Sequence, residues 1–333
     1  MTTPSWLANL LSDESITDIC LNGHESAFVD RGQGLERANP EPWSNNETPQ
    51  ETNEGLKTWV LEQLAIIGKT WDAKYPFVDA ALPSGHRLNV AFPPLARQGV
   101  LVSIRRLPNT KQASGDSQKT QRRWSSSPLF NILSGAAIRG ESILISGATG
   151  SGKTTLANDL LELVPHNERI LALEDTPELR PDHPHFVSLT SRPPNSDGFG
   201  EVTLRILLKQ SLRMRPDRII LGECRGAEIL DLLQLLNTGH RGSMATIHAN
   251  SPRDALRRVE LLCLLSASGA IPVTVIRELL AVGIKWVVQV VRSGTSREIS
   301  QLWQIDGREG DTILMRPIQQ KTLHSLGCSL ISV

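Results

Sequence analysis

The residues Gly147-Ala148-Thr149-Gly150-Ser151-Gly152-Lys153-Thr154 read G-x-x-x-x-G-K-T. Glycines at this spacing let backbone N–H groups close around an anion, the lysine adds a point charge, and the threonine hydroxyl is a hard ligand for a divalent cation. That combination suits a nucleoside triphosphate. Lys153 would reach the β- and γ-phosphates, Thr154 would ligate Mg²⁺, and the loop through Thr155 would cradle the phosphates. The pattern works only between a strand and a helix. The preceding run 142–146 is short and apolar, and 155–161 has helical spacing at Leu156, Leu160 and Leu161. The helix would add the positive end of its dipole.

Other polar residues follow apolar runs, at the carboxyl ends where ligands bind in open α/β sheets. In Leu173-Glu174-Asp175-Thr176-Pro177-Glu178, Glu174 stands just past such a run. A carboxylate there can orient or deprotonate an attacking water; taken alone, the segment reads as a strand-end turn capped by Asp175 and Thr176. Arg218-Ile219-Ile220-Leu221-Gly222-Glu223 delivers a second carboxylate from a buried strand. Where such motifs carry Asp, this chain has Gly222, so Glu223 would act at the metal alone or through water. His240 lies in the Gly-rich turn 237–243, and His248 ends the run 244–248. They suit a γ-phosphate sensor or satisfied structural histidines, and no further ligand is spaced to complete a zinc site. Arg87, Arg105 and Arg106 sit in strand-like segments nearer the N-terminus. An arginine from another domain can neutralise a transferring phosphoryl group, whereas composition reads these as solvated strand residues.

The elements that must position these groups fall into two blocks. From 128 onward strands and helices alternate, which specifies a parallel sheet. Strands are expected at 142–146, 169–174, 185–189, 218–222 and 244–248, with helices at 201–214, 227–236, 253–265 and from Pro272 to Val282. Strand-like runs at 285–292, 297–305 and 312–319 close the chain in a β-rich piece. Residues 1–106 read as a separate α+β domain: a helix at 5–11, a hairpin around Asn22-Gly23, a polar loop at 37–54, a helix at 56–67, and strands after it. Between the blocks, 107–127 is rich in Pro, Asn, Lys, Gln, Ser and Gly and reads as a flexible interdomain linker.

Composition narrows the function. The 333 residues suffice for two domains. Thirty-five basic residues balance 35 acidic ones, and aromatics make up 4%. Neither feature favours a nucleic-acid partner or base-stacking platforms. Cys20, Cys224, Cys263 and Cys328 are scattered, as expected of reduced thiols rather than a zinc site or disulfide framework. There is no signal pattern, and no apolar run nears the roughly 20 residues of a membrane helix. The expectation is a cytoplasmic protein, peripheral at an inner membrane through partners.

The stretches SGATGSGKTTL, ILALEDTPEL, LRMRPDRIILGECRGAEILDLLQLLNTGHRGSMATIHANSPRDAL and IPVTVIREL together resemble the ATPases of the type II/type IV secretion superfamily. Within it the likeness is to the CpaF/TadA-type ATPases of tight-adherence (Flp) pili, then to type IV secretion traffic ATPases. The strong part spans about 140 to 290; ITDICLNG, VDAALPSGHRLNV and VSIRRLP carry a weaker likeness. The resemblance implies a RecA-like P-loop ATPase domain with a smaller α+β N-terminal domain. It also implies a homohexamer with ATP and Mg²⁺ between the domains at subunit boundaries, and a membrane platform protein as partner. It implies that 147–154 is the Walker A loop and that Glu174 is the catalytic carboxylate of an Asp box. Gly222-Glu223 would be an atypical Walker B, with Glu223 beside Thr154 at the metal. His240 and His248 would form a His box, and Arg87 and Arg105 would contact the phosphates. Arg192, Asn195 and Arg213 fall in shared segments without an assigned role. In one departure, about sixteen residues precede the ITDICLNG strand where CpaF-type chains carry a long extension.

The reading is a motor ATPase that couples Mg-ATP hydrolysis to assembly of a pilus or secretion apparatus. Its alternatives are a type IV secretion traffic ATPase exporting protein or DNA, a RecA-type nucleic-acid motor, and a non-hydrolysing nucleotide-binding scaffold. The set Lys153, Thr154, Glu174 and Glu223 argues against the last.

Overall fold

The computed structural model describes residues 5–24, 26–38, 48–72, 76–106, 124, 127–195, 198–267, 270–294 and 296–319. The chain divides into two compact units, Met1–Asn109 with Pro194–Gly200, and Thr110–Pro193 with Glu201–Val333.

In the first unit α1 (Ser5–Ser12), β1 (Asp18–Asn22), β2 (Ser26–Asp30), β3 (Leu35–Arg37), α2 (Pro49–Ile66), β4 (Phe77–Ala81), β5 (Arg87–Ala91) and β6 (Leu101–Arg105) follow in order. The strands make one antiparallel sheet, β3-β2-β1-β6-β5-β4. Alternation sets its faces. Ile19, Leu21, Val29, Leu88, Val90, Val102 and Ile104 are buried in a core with Leu7, Leu56, Trp59 and Val60 of the helices. Asp30, Asp18, Arg105 and Arg87 stand in register across four neighbouring strands.

The expected loop at 37–54 is corrected at its second end, where 49–54 are helical; 39–47 lie outside the described residues. The cause is a capping box in Thr48-Pro49-Gln50-Glu51. The Thr48 side chain accepts from Glu51 N, the Glu51 carboxylate accepts from Thr48 N at 2.8 Å, and proline occupies the first turn.

The second unit contains α3 (Pro128–Ile138), β7 (Ile143–Ser146), α4 (Lys153–Leu161), β8 (Ile170–Glu174), β9 (Phe186–Thr190), α5 (Leu204–Ser211), β10 (Arg218–Leu221), α6 (Glu228–Leu236), β11 (Met244–Ile247), α7 (Pro252–Ser266), α8 (Val273–Gly283), β12 (Trp286–Ser293), β13 (Ser296–Glu309) and β14 (Thr312–Pro317). Its sheet runs β14-β13-β12-β7-β11-β10-β8-β9, parallel from β12 to β9, with β13 and β14 antiparallel. The β-rich piece at the end thus extends the same sheet. Helices cover both faces. Ile143, Ile145, Ile170 and Ala172 pack with α3 and α4, while Leu144, Leu173, Ile219 and Leu221 pack with α5 to α8. This is a RecA-like arrangement with β7 near its middle.

Of the expected linker, 107–123, 125 and 126 lie outside the described residues. Trp124 is buried: it stacks on Phe130 with ring centroids 6.1 Å apart and donates Nε1–H to Asp159 of α4 at 2.5 Å. Cys20, Cys224 and Cys263 are free thiols, and Cys328 lies outside the described residues. No helix among the described residues is long and apolar enough to cross a membrane.

Candidate active site

β7 ends inside the sheet, and the chain turns through 147–152 directly into α4. Glycine is required at 147 because a Cβ there would lie 2.4 Å from the Val290 carbonyl oxygen of β12. Gly152 caps α4 at φ 104° with no side-chain bond. The first N–H groups of the helix are therefore left to face an anion. Lys153 is buried, and its Nζ donates to Gly147 O at 3.0 Å and Ala148 O at 2.9 Å. Burial lowers the lysine pKa, against the opposing carboxylates of Glu223 and Glu178.

Lys153 Nζ also lies 3.4 Å from His248 Nδ1, and His248 Nε2 lies 2.8 Å from Glu223 Oε1. An ammonium only donates, so Nδ1 accepts and Nε2 carries the proton given to Glu223. The other Glu223 oxygen accepts from Arg225 Nη2 at 2.7 Å. Burial and the Lys153 charge lower the His248 pKa despite Glu223, which keeps the ring neutral at pH 7. Burial alone would raise the Glu223 carboxyl; Arg225, His248 and Lys153 outweigh it and hold the group below its ordinary value. The result is a continuous line of groups, Lys153, His248, Glu223 and Arg225, running from β11 and β10 to the loop.

The two carboxylates of 174–178 take different places. Glu174 ends β8 at 2% exposure. Its Oε1 accepts from Glu178 N and Leu179 N, both at 2.9 Å, and its Oε2 accepts from Ser188 Oγ at 3.1 Å. Burial pushes this carboxyl up to about 7 despite those bonds. The glycine at 222 now has a reason: a Cβ there would come 2.8 Å from Glu174 Cγ. Glu174 fills the space an aspartate side chain would need. The carboxylate at the Thr154 hydroxyl is Glu178, whose Oε2 accepts from Thr154 Oγ1 at 3.1 Å. Glu174 holds the turn that presents it.

Glu178 and Arg225 are the residues that sequence reasoning passed over. Glu178 gave no signal in the chain because only the turn's bonds to Glu174 return it to α4. Arg225 follows Glu223 by two residues, the one available hint. His240 is not joined to this line; it is half-buried, its Nδ1 has no hydrogen-bond partner among the described residues, and its carbonyl accepts from Ser243 Oγ at 2.9 Å. Arg87 and Arg105 belong to the first unit, as direct cross-strand partners. Arg105 also pairs with Asp18 at 2.7 Å, and Arg106 donates to Asp13 O. Arg192 bridges to Val202, the Asn195 side chain accepts from Phe199 N at 2.8 Å, and Arg213 donates to Lys209 O at 3.3 Å.

The donors fit a hard cation. The Thr154 hydroxyl and the Glu178 and Glu223 carboxylates are the oxygen ligands magnesium prefers, with phosphate and water completing its shell. Among the described residues no group of three His, Cys, Asp or Glu could hold a metal unaided.

Residues 11–315 match the family described as Type II/IV secretion system protein. The chain is 36% identical over 314 residues to a protein of Mycobacterium tuberculosis (strain ATCC 25618 / H37Rv) named for conjugal transfer, covering 91% of this chain and 85% of that one. It is 30% identical to the type IV secretion system protein VirB11 of Brucella suis biovar 1 (strain 1330), covering 88% and 86%. With the type IV secretion system protein PtlH of Bordetella pertussis (strain Tohama I / ATCC BAA-589 / NCTC 13251) the identity is 31%, over 89% and 92%. Among solved structures, the pilus retraction motor PilT with bound ADP superposes at a TM-score of 0.62 with 18% identity, covering 91% of this chain and 82% of that one, a likeness of fold. The phosphate loop, the carboxylates gathered around it and the match along most of the chain lead to one conclusion: this protein belongs to the type II/IV secretion system ATPase family, built as a RecA-like P-loop ATPase domain with a smaller α+β N-terminal domain.

Proposed function

We propose that the protein is a homohexameric motor that hydrolyses Mg-ATP to drive assembly of a pilus or secretion apparatus. The observation that carries the reading is the meeting of two arrays at one loop: Thr154 with Glu178, and Lys153 with His248 and Glu223. ATP draws Lys153 from the loop carbonyls to its β- and γ-phosphates. Bound Mg²⁺, held by Thr154 with Glu178 and Glu223 around it, would neutralise phosphate charge. Glu178 orients the attacking water and takes its proton. When Lys153 leaves His248, the His248–Glu223–Arg225 line senses the γ-phosphate. Arg87 and Arg105 of the N-terminal domain add positive charge at the phosphates. The protein works in the cytoplasm, docked on an inner-membrane platform protein.

The motif stretches quoted above favour a tight-adherence pilus as the machine served. A second reading, a type IV secretion traffic ATPase, is favoured by the VirB11 and PtlH relatives. The test is turnover by purified protein with Mg-ATP, alongside Lys153→Ala and a measurement of assembly mass. Wild-type turnover lost in Lys153→Ala, from a particle of six chains, supports the proposal. Turnover that survives the substitution overturns it. Stimulation by single-stranded DNA would move the reading to a nucleic-acid motor.

A further inference from the structure

The site described above accounts for the β- and γ-phosphate side of the loop and the cation. It leaves the other flank, where β12 and β13 meet. The Val290 carbonyl presses against Gly147 so closely that no Cβ fits between them. From there the strands run out to a tip on which Arg292 and Arg297 are direct cross-strand partners. Cross-strand partners share a face, and like charges placed so destabilise a hairpin. Both arginines are exposed. Arg297 turns onto the phosphate loop. Its Nη1 donates to Thr155 Oγ1 at 3.0 Å, and its stem covers Gly152, where a Cβ would meet Arg297 Cδ at 2.6 Å. The backbone at 152 therefore has a guanidinium stem lying across it.

Thr155 is the third residue of α4. Lys153 serves the β- and γ-phosphates and Thr154 the cation, so the next residue along the helix borders the α-phosphate, which the loop cradles with its backbone N–H groups. Resting on the neighbour of that phosphate is a planar guanidinium, the side-chain group whose fork of donors matches phosphate oxygens. We propose that Arg297 is a nucleotide-binding residue that holds the α-phosphate of ATP and ADP from the β12–β13 hairpin. An α-phosphate oxygen takes the place of Thr155 Oγ1 or shares the guanidinium with it. The proposal rests on the reading of 147–154 as the ATP loop and adds a contact from the far end of the chain.

Calorimetry with ADP tests it on the full-length protein. Arg297→Ala should weaken ADP binding about ten- to a hundredfold, the usual consequence of losing one charge-assisted hydrogen bond, and Arg297→Lys should recover part of the loss. An α-phosphate contact is blind to the base, so the fold-loss should be equal for ADP, GDP and CDP. Lys153→Ala is the parallel control. If it abolishes ADP binding while Arg297→Ala leaves it unchanged, the Arg297 proposal fails and the site stands. If neither changes ADP binding, the loop assignment itself fails. A loss in Arg297→Ala confined to one base would make Arg297 a base contact and overturn the α-phosphate role. A fall in the ligand-free melting temperature with unchanged ADP affinity would reduce the residue to a structural one.

Discussion

Thr154 Oγ1 donates to Glu178 Oε2 across 3.1 Å, while Glu174, four residues earlier, has both oxygens engaged by the turn and Ser188. The carboxylate at the Thr154 hydroxyl is the one the turn delivers, not the one at the strand end.

This separates the two residues kinetically. Glu178→Gln should keep nucleotide bound yet lower kcat by roughly 10²–10⁴, because an amide accepts no proton. Glu174→Gln should change kcat less and affect stability more. Single-turnover rates on both variants decide the matter; the reverse ranking, in folded protein, would return the catalytic role to Glu174.

Glu174 also sets a pH dependence of stability. Its carboxyl is pushed up from 4.5 to about 7 in the folded protein. The folded state therefore holds a proton that the unfolded chain releases as pH rises through that interval. The stability this proton contributes is complete below about 4.5 and is lost as pH climbs to about 7. Glu174→Gln does not titrate, so it should lose less stability between pH 5 and 8 than wild type. Urea midpoints across that range measure it, and parallel curves would refute it.

His248 gives the opposite slope, in activity. Its pKa is lowered from 6.5 by burial and Lys153, so an acid limb in kcat/KM, which reports the free enzyme, should appear below pH 6.5 as Nδ1 gains a proton and Lys153 loses that acceptor. His248→Gln should be slower and lack that limb. A limb of unchanged shape in the variant would assign it to another group.

Arg87 and Arg105 are predicted to matter to turnover and little to folding. The Arg105–Asp18 pair is solvent-exposed on the arginine side, and such pairs contribute about 0–1 kcal/mol. Arg105→Ala and Arg87→Ala should melt close to wild type and cut kcat by tenfold or more, as removal of a phosphate-neutralising arginine does. Normal turnover in both would leave the N-terminal arginines without a part in hydrolysis.

The phosphate loop and the strands β7, β8, β9, β10 and β11 were legible because apolar runs flanked by Gly and acidic residues leave few other foldings. The 48–51 capping box is written in the sequence too, inside a polar stretch whose composition is that of a loop. Helix α3 left no mark beyond its alternation with the strands. What local sequence could not show is anything set by packing between distant segments. The glycine at 222 looked like a missing aspartate until Glu174 was seen filling its space. Trp124, in a stretch of linker composition, pairs with Asp159 of α4 in the core. Arg297 carried no signal beyond opening the strand-like run 297–305, and the hairpin lays it on Thr155.

The position of β7 sets the order in which its pairings can form during synthesis. Ile143 and its neighbours bond on one side to β11 and on the other to β12, both far downstream. The ribosome makes the phosphate loop early and β11 follows it, but the second wall arrives only when the chain has passed Val290, whose carbonyl rests against Gly147. Pairing over such long loops is slow and waits for its last partner. A nascent chain halted before β12 has the whole G-x-x-x-x-G-K-T stretch but lacks the strand that pairs with β7 on that side and the carbonyl that fixes the backbone at Gly147.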